Sequence, residues 1–116
     1  PRAEICCALG YAWKSVGDFK RACFWFRLAT MLEKPEKNPG FIREDCWGYI
    51  PCIELAVCYD KIGMPQIAEQ YNELAAKFKP DDPFVKLNRN YFQSLKGQQD
   101  SGDKSHVLKG RNHSPL

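Results

Sequence analysis

Two stretches of this chain carry the same arrangement of small, aromatic and glycine residues, 46 positions apart. The first runs Leu9-Gly10, Trp13, Gly17, Ala22, Phe26, Ala29. The second runs Leu55-Ala56, Tyr59, Gly63, Ala68, Asn72, Ala75. In each, apolar residues recur at helical spacing on both sides of a central glycine. That is the pattern of two helices joined by a tight turn. Gly10 or Ala56 opposite Ala22 or Ala68 would let the two helices of a pair approach closely, with aromatic residues filling the neighbouring wedge. Gly17 and Gly63 suit a left-handed turn position, and Asp18 is a good N-cap for the helix that follows. An all-α chain built from antiparallel helix pairs is the fold this dictates, and no stretch alternates strongly enough to be a strand.

Periodicity sets the elements. A first helix is predicted over Glu4 to Val16, with Ile5, Leu9, Ala12, Trp13 and Val16 on one apolar face. A second shows Ala22, Phe26, Ala29 and Leu32, and Lys34-Pro35 stops it because proline disfavours helix in the residue before it. Residues 35–44 read as a loop with Asn38-Pro39-Gly40 as its turn signal. After Asp45-Cys46-Trp47-Gly48-Tyr49-Ile50-Pro51, two readings stay open. Asp45 caps a helix that Pro51 kinks, or a turn ends at Ile50 and Pro51 lies in the first helical turn. A helix through Leu55, Ala56, Cys58, Tyr59 and Ile62 then runs to Gly63. The next begins at Met64-Pro65, buries Ala68, Tyr71 and Ala75, and ends near Lys79-Pro80. Asp81-Asp82-Pro83 starts a fifth, through Val85, Leu87, Tyr91 and Phe92 to about Leu95. Residues 1–95 thus form one helical domain, and residues 96–116 a polar tail expected to be extended or mobile. The chain opens on Pro1 and enters a helical pattern at once, so a piece of a longer protein is expected.

The paired pattern resembles the tetratricopeptide repeat, W-x2-L-G-x2-Y followed by A-x3-F and P. Cys6 and Cys52 occupy the family's tryptophan position. Pro80 matches its final proline, Pro35 falls one residue late, and Asn72 replaces an aromatic residue. The 46-residue offset exceeds the family's repeat length, which places an insertion between Lys37 and Ile50. Residues 84–95 resemble the first helix of a third repeat, acting as a cap. The resemblance implies a stack of two hairpins plus a capping helix, an α-α superhelix with a concave face made by the first helix of each pair. Aligned onto this chain, that face comprises Glu4, Cys7, Tyr11 and Lys14, then Ile50, Ile53, Val57 and Lys61. Some family members clamp a peptide carboxylate with Lys and Asn. Cys7 and Tyr11 stand at the matching positions here, so an apolar, aromatic groove is expected.

A narrower resemblance covers roughly residues 2 to 95. The runs Arg2-Ala3-Glu4-Ile5, Phe24-Trp25-Phe26, Asp45-Cys46-Trp47-Gly48-Tyr49-Ile50-Pro51, Cys58-Tyr59-Asp60 and Tyr71-Asn72-Glu73-Leu74-Ala75 are similar to a helical region of bacterial family-2 glycosyltransferases, C-terminal to their catalytic domain. It implies a parent that transfers sugar from a nucleotide-sugar donor with a divalent metal held by Asp-x-Asp. No Asp-x-Asp occurs in this chain, and Asp81-Asp82 fits helix capping, so no catalytic residue carries over.

Composition narrows the function classes. The formal charge is +3, from 17 basic and 14 acidic residues, and the residues from Lys96 onward hold four of the basic and two of the acidic ones. The body lacks the basic stripe of a nucleic-acid binder, and no apolar run is long enough for a membrane span. Six cysteines, Cys6, Cys7, Cys23, Cys46, Cys52 and Cys58, include no C-x-x-C pair. His106 and His113 lie far from them in the tail, which disfavours a zinc site. They read as small apolar fillers of helix–helix gaps in a reducing cytoplasm. Neither a phosphate-cradling glycine loop nor a nucleophile with a base beside it is present. The expectation is therefore a non-catalytic docking or oligomerisation module, with no cofactor in this segment. Its partner is its parent's catalytic domain, a second copy, or another protein. The alternative is a stand-alone scaffold that binds a peptide.

Overall fold

The computed structural model describes residues 2–32 and 44–100. They form five α-helices, α1 (Ala3–Ser15), α2 (Phe19–Met31), α3 (Tyr49–Lys61), α4 (Pro65–Phe78) and α5 (Pro83–Asp100), with a 3-10 turn at Glu44–Trp47 before α3. Among the described residues there is no strand. Helices α1 and α2 pack as one pair and α3 and α4 as a second; α3 also packs on α2, and α5 on α4.

The local signals behave as their chemistry requires. Gly17 and Gly63 hold φ of 82° and 85°, the left-handed conformation that ends α1 and α3. Asp18 accepts a hydrogen bond from the Arg21 amide at 3.1 Å and so caps α2. Asp82 does the same for Val85 at 3.1 Å, at the start of α5. Pro65 occupies the first turn of α4, where its missing N–H costs nothing. Of the two readings around Pro51, the structure takes a form of the second. The 3-10 turn stops at Trp47, Gly48 caps α3, and Pro51 lies in the first turn of a helix that starts at Tyr49.

The α1–α2 interface is set by size. A Cβ on Gly10 would lie 2.7 Å from the Phe26 ring, which is fully buried. At the equivalent positions of the second pair stand Ala56 and Asn72, both fully buried: a methyl group replaces the hydrogen of Gly10, and a smaller amide replaces the ring of Phe26. This explains how an asparagine replaces the expected aromatic residue. Asn72 is completely buried, donates to the Val85 carbonyl at 3.1 Å, and accepts from the Asn88 amide at 3.0 Å. A buried amide thereby locks α5 onto α4.

Four expectations are corrected. The predicted apolar face of α1 is not its core face. Ile5 and Val16 are 53% and 71% exposed and Ala12 is exposed, while Ala3, Cys6, Cys7 and Gly10 are buried. Close helix approach favours small side chains, and hydropathy alone ranks the larger aliphatic ones first. On α5, Leu87 is half exposed, and Val85, Asn88, Phe92 and Leu95 are buried. Helix α5 also continues five residues beyond Leu95, to Asp100. At the other end of the loop, α2 stops at Met31, with Leu32 already extended, ahead of the Lys34-Pro35 stop signal. The Asn38-Pro39-Gly40 turn, both histidines and residues 101–116 lie outside the described residues.

All six cysteines are unbridged and buried. The Cys7 thiol donates to the Cys46 carbonyl at 3.8 Å, tying α1 to the 3-10 turn. Acidic groups do more than decorate helix ends and outer faces. Asp60 is 2% exposed, and the Tyr91 hydroxyl bonds both of its carboxylate oxygens at 3.0 Å, joining α3 to α5.

Candidate functional site

The first helix of each pair and the lone α5 contribute one side chain after another to a single groove. It has a volume of about 350 Å³ and is lined by Tyr11 and Lys14 from α1, Tyr49, Ile50, Ile53, Glu54 and Val57 from α3, and Phe84 from α5. Ile50, Ile53 and Val57 recur every three or four residues along α3 and form an aliphatic floor. Tyr11, 41% exposed, stands at one wall and Phe84, 53% exposed, at another.

The walls are held by packing and by polar contacts at the rim. The Tyr11 ring meets Phe26 edge-on, with centroids 5.2 Å apart and planes at 84°. Lys14 and Glu54 form an ion pair at 2.6 Å that ties α1 to α3. Burial and the neighbouring Glu54 carboxylate push the Tyr11 phenol above its ordinary range, so it stays protonated. On the other side, the Tyr49 hydroxyl donates to Asp82 at 2.6 Å, and the Lys79 ammonium lies 4.3 Å from the centre of the Tyr49 ring. Burial first, then Asp82, raises the Tyr49 phenol in the same way. Lys79 also pairs with Asp45 at 2.8 Å. Gly48 sits directly against the Phe78 ring, leaving no room for a Cβ. The Asp45-Cys46-Trp47-Gly48-Tyr49 run is thus a clasp that holds the end of α4 and the start of α5 against α3. Phe84 is carried into the groove by that clasp.

Of the eight aligned concave-face residues, five line the groove: Tyr11, Lys14, Ile50, Ile53 and Val57. Three do not. Cys7 is buried against Cys46, Glu4 is half-buried on α1, and Lys61 is exposed at the end of α3. Tyr49, Glu54 and Phe84 complete the lining without having been expected there. Phe84 had a signal: it stands 34 residues after Ile50 at the corresponding place of the next helix. Glu54 had only its charge complementarity to Lys14, which the fold brings 40 residues across the sequence.

The groove's chemistry is apolar contact with a polar rim. Its lining holds no cysteine or histidine, and the one lysine is engaged by the one glutamate. Among the described residues, no three His, Cys, Asp or Glu side chains converge as metal ligands, and no helix is long and apolar enough to cross a membrane. Comparison of the chain with protein-family models, with curated proteins and with solved structures gives no match.

Proposed function

We propose that this chain is a non-catalytic protein-docking module of tetratricopeptide type, whose groove receives an apolar segment of a partner protein. The observation that carries this reading is the continuity of the groove. Side chains from α1, α3 and α5 line one surface with an aliphatic floor and aromatic walls. Such a surface recognises leucine-like or aromatic side chains on a protein segment, and its one cation is already paired with Glu54. Exposed aromatic residues around a preformed apolar floor are also where binding energy concentrates in protein interfaces.

The similarity of the Asp45-Cys46-Trp47-Gly48-Tyr49-Ile50-Pro51 run to the helical region of bacterial family-2 glycosyltransferases supports a partner of one kind. It is the surface of a nucleotide-sugar-dependent catalytic domain belonging to the same parent. In that reading the module holds the enzyme and the enzyme does the chemistry.

The test is capture by the immobilised chain, compared with Tyr11→Glu and Phe84→Glu. Both positions are exposed enough to accept a carboxylate without unfolding the helices. The expected outcome is a protein retained by the wild type and lost with either variant. Retention of the same proteins by all three would overturn the groove as the docking site.

A further inference from the structure

The second helix of the first pair has a face that the packing of the pairs does not use. Ala22, Phe26 and Ala29 bury one side of α2. On the opposite side stand Phe24, Leu28 and Met31, four and three residues apart. Phe24 and Met31 are 60% and 67% exposed, and Leu28 is half-buried. Trp25 extends the patch, its ring meeting Phe24 edge-on with centroids 5.1 Å apart. Stacking of pairs leaves such a face open. The residues 46 positions further on are Gln70, Leu74 and Lys77 of α4. All three are exposed, although the first pair packs before the second. The face is therefore an outer one in both pairs, and only the first pair makes it apolar and aromatic.

Its charge is one-sided. Helix α2 carries Lys20, Arg21 and Arg27 and no acidic residue, and all three cations are exposed. With 3.6 residues per turn, Lys20 and Arg27 border the apolar stripe on one side and Arg21 on the other. Arg21 is paired with Asp18 at 3.6 Å. Neither Lys20 nor Arg27 has a carboxylate partner among the described residues. On the outer side of the second pair, Glu73 and Glu69 are neutralised by Arg89 and Lys96 at 2.7 and 2.8 Å.

We propose that α2 is an interfacial helix that lays this outer face on an anionic lipid bilayer. An apolar stripe of phenylalanine, leucine and methionine, with tryptophan beside it and cations along both edges, is the pattern of a helix lying in a membrane surface. The aromatic and methionine side chains enter the headgroup boundary, and Lys20 and Arg27 meet lipid phosphates. At 13 residues α2 lies on a bilayer and does not cross it. Charge decides for lipid, because the unpaired cations on this face call for a surface of anions. Packing decides against insertion of α2 into a groove of another protein. Its inner side is held by α1 and α3, so only a shallow outer face is offered, which a bilayer accepts without a matching cleft. The face shares no residue with the groove proposed above, so one stack can hold a protein partner and a membrane at once.

The experiment is flotation of the whole chain with vesicles of phosphatidylcholine alone and of phosphatidylcholine mixed with phosphatidylglycerol, in low and high salt. The wild type is expected to float with the anionic vesicles, to stay behind with the neutral ones, and to be released as salt rises. Phe24→Gln/Met31→Gln keeps every charge and is expected to weaken binding by about tenfold or more. Lys20→Gln/Arg27→Gln is expected to weaken it by about tenfold or more as well. Both variants change exposed side chains and should keep the wild-type far-UV circular dichroism spectrum. Tyr11→Glu, in the groove, is expected to float like the wild type. A wild-type chain that floats with neither vesicle overturns the proposal and leaves the face to a protein partner. Flotation that survives Phe24→Gln/Met31→Gln also overturns it, because cations elsewhere, such as those from Lys96 onward, then account for the binding.

Discussion

At the residue scale, the molecule depends on where side chains are missing. Gly10 faces a Phe26 ring that is fully enclosed and cannot swing away. Gly10→Ala is expected to cost about 1–3 kcal/mol, as overpacking of a tight core does. Urea unfolding followed by circular dichroism should show a lower midpoint with the slope unchanged. The cysteines follow the same logic of small volume. Burial pushes the Cys52 thiol up to about 11 from its ordinary 9.0. The folded chain therefore keeps a proton on Cys52 that the unfolded chain releases between pH 9 and 11, and this thiol's contribution to stability falls as pH rises through that window. The melting temperature should decline as pH rises above 9, and Cys52→Ala should make the decline shallower.

At the element scale, α5 is fastened by polar contacts as much as by apolar ones. Asn72 bridges the Val85 carbonyl and the Asn88 amide within a buried interface. Asn72→Ala removes the second partner of the Val85 carbonyl and leaves the buried Asn88 amide without its acceptor, which costs about 1–3 kcal/mol. Because those partners belong to α5, amide hydrogen exchange should accelerate in α5 well before it does in α1 and α2. Equal acceleration throughout would mean that the asparagine stabilises the fold as one unit. The clasp before α3 works similarly: Tyr49→Phe removes the bond to Asp82 and should cost about 0.5–1.5 kcal/mol. These contacts had little trace in the sequence. Asn72 read as a departure from an aromatic position, and only the fold pairs it with a residue 16 positions away.

At the scale of the whole molecule, function is read from surfaces. Val57 belongs to the groove but is only 3% exposed, so a charge there would test folding before it tested binding. Tyr11 and Phe84 are the informative positions, and loss of partner capture with both is the expected outcome. The proposal that chemistry resides elsewhere makes a separate prediction. The chain alone, incubated with nucleotide-sugars and a divalent cation, should release no nucleotide above the buffer rate, measured by a coupled nucleotide assay. Release above that rate would remove the non-catalytic reading while leaving the groove intact.

The sequence by itself determined the elements: five helices, their glycine turns, the Asp18 cap, and which of α2's residues face inward. These are local properties, written in spacing of three and four residues and in the special conformations of glycine and proline. Only the tertiary structure decided which face of α1 is buried, because that depends on how closely two helices approach. It alone decided that Tyr49, Glu54 and Phe84 join the groove, since they arrive from separate helices. It also separated surfaces that hydropathy alone would merge, a groove with a polar rim and the exposed Ile5 and Val16 of the first helix and its cap.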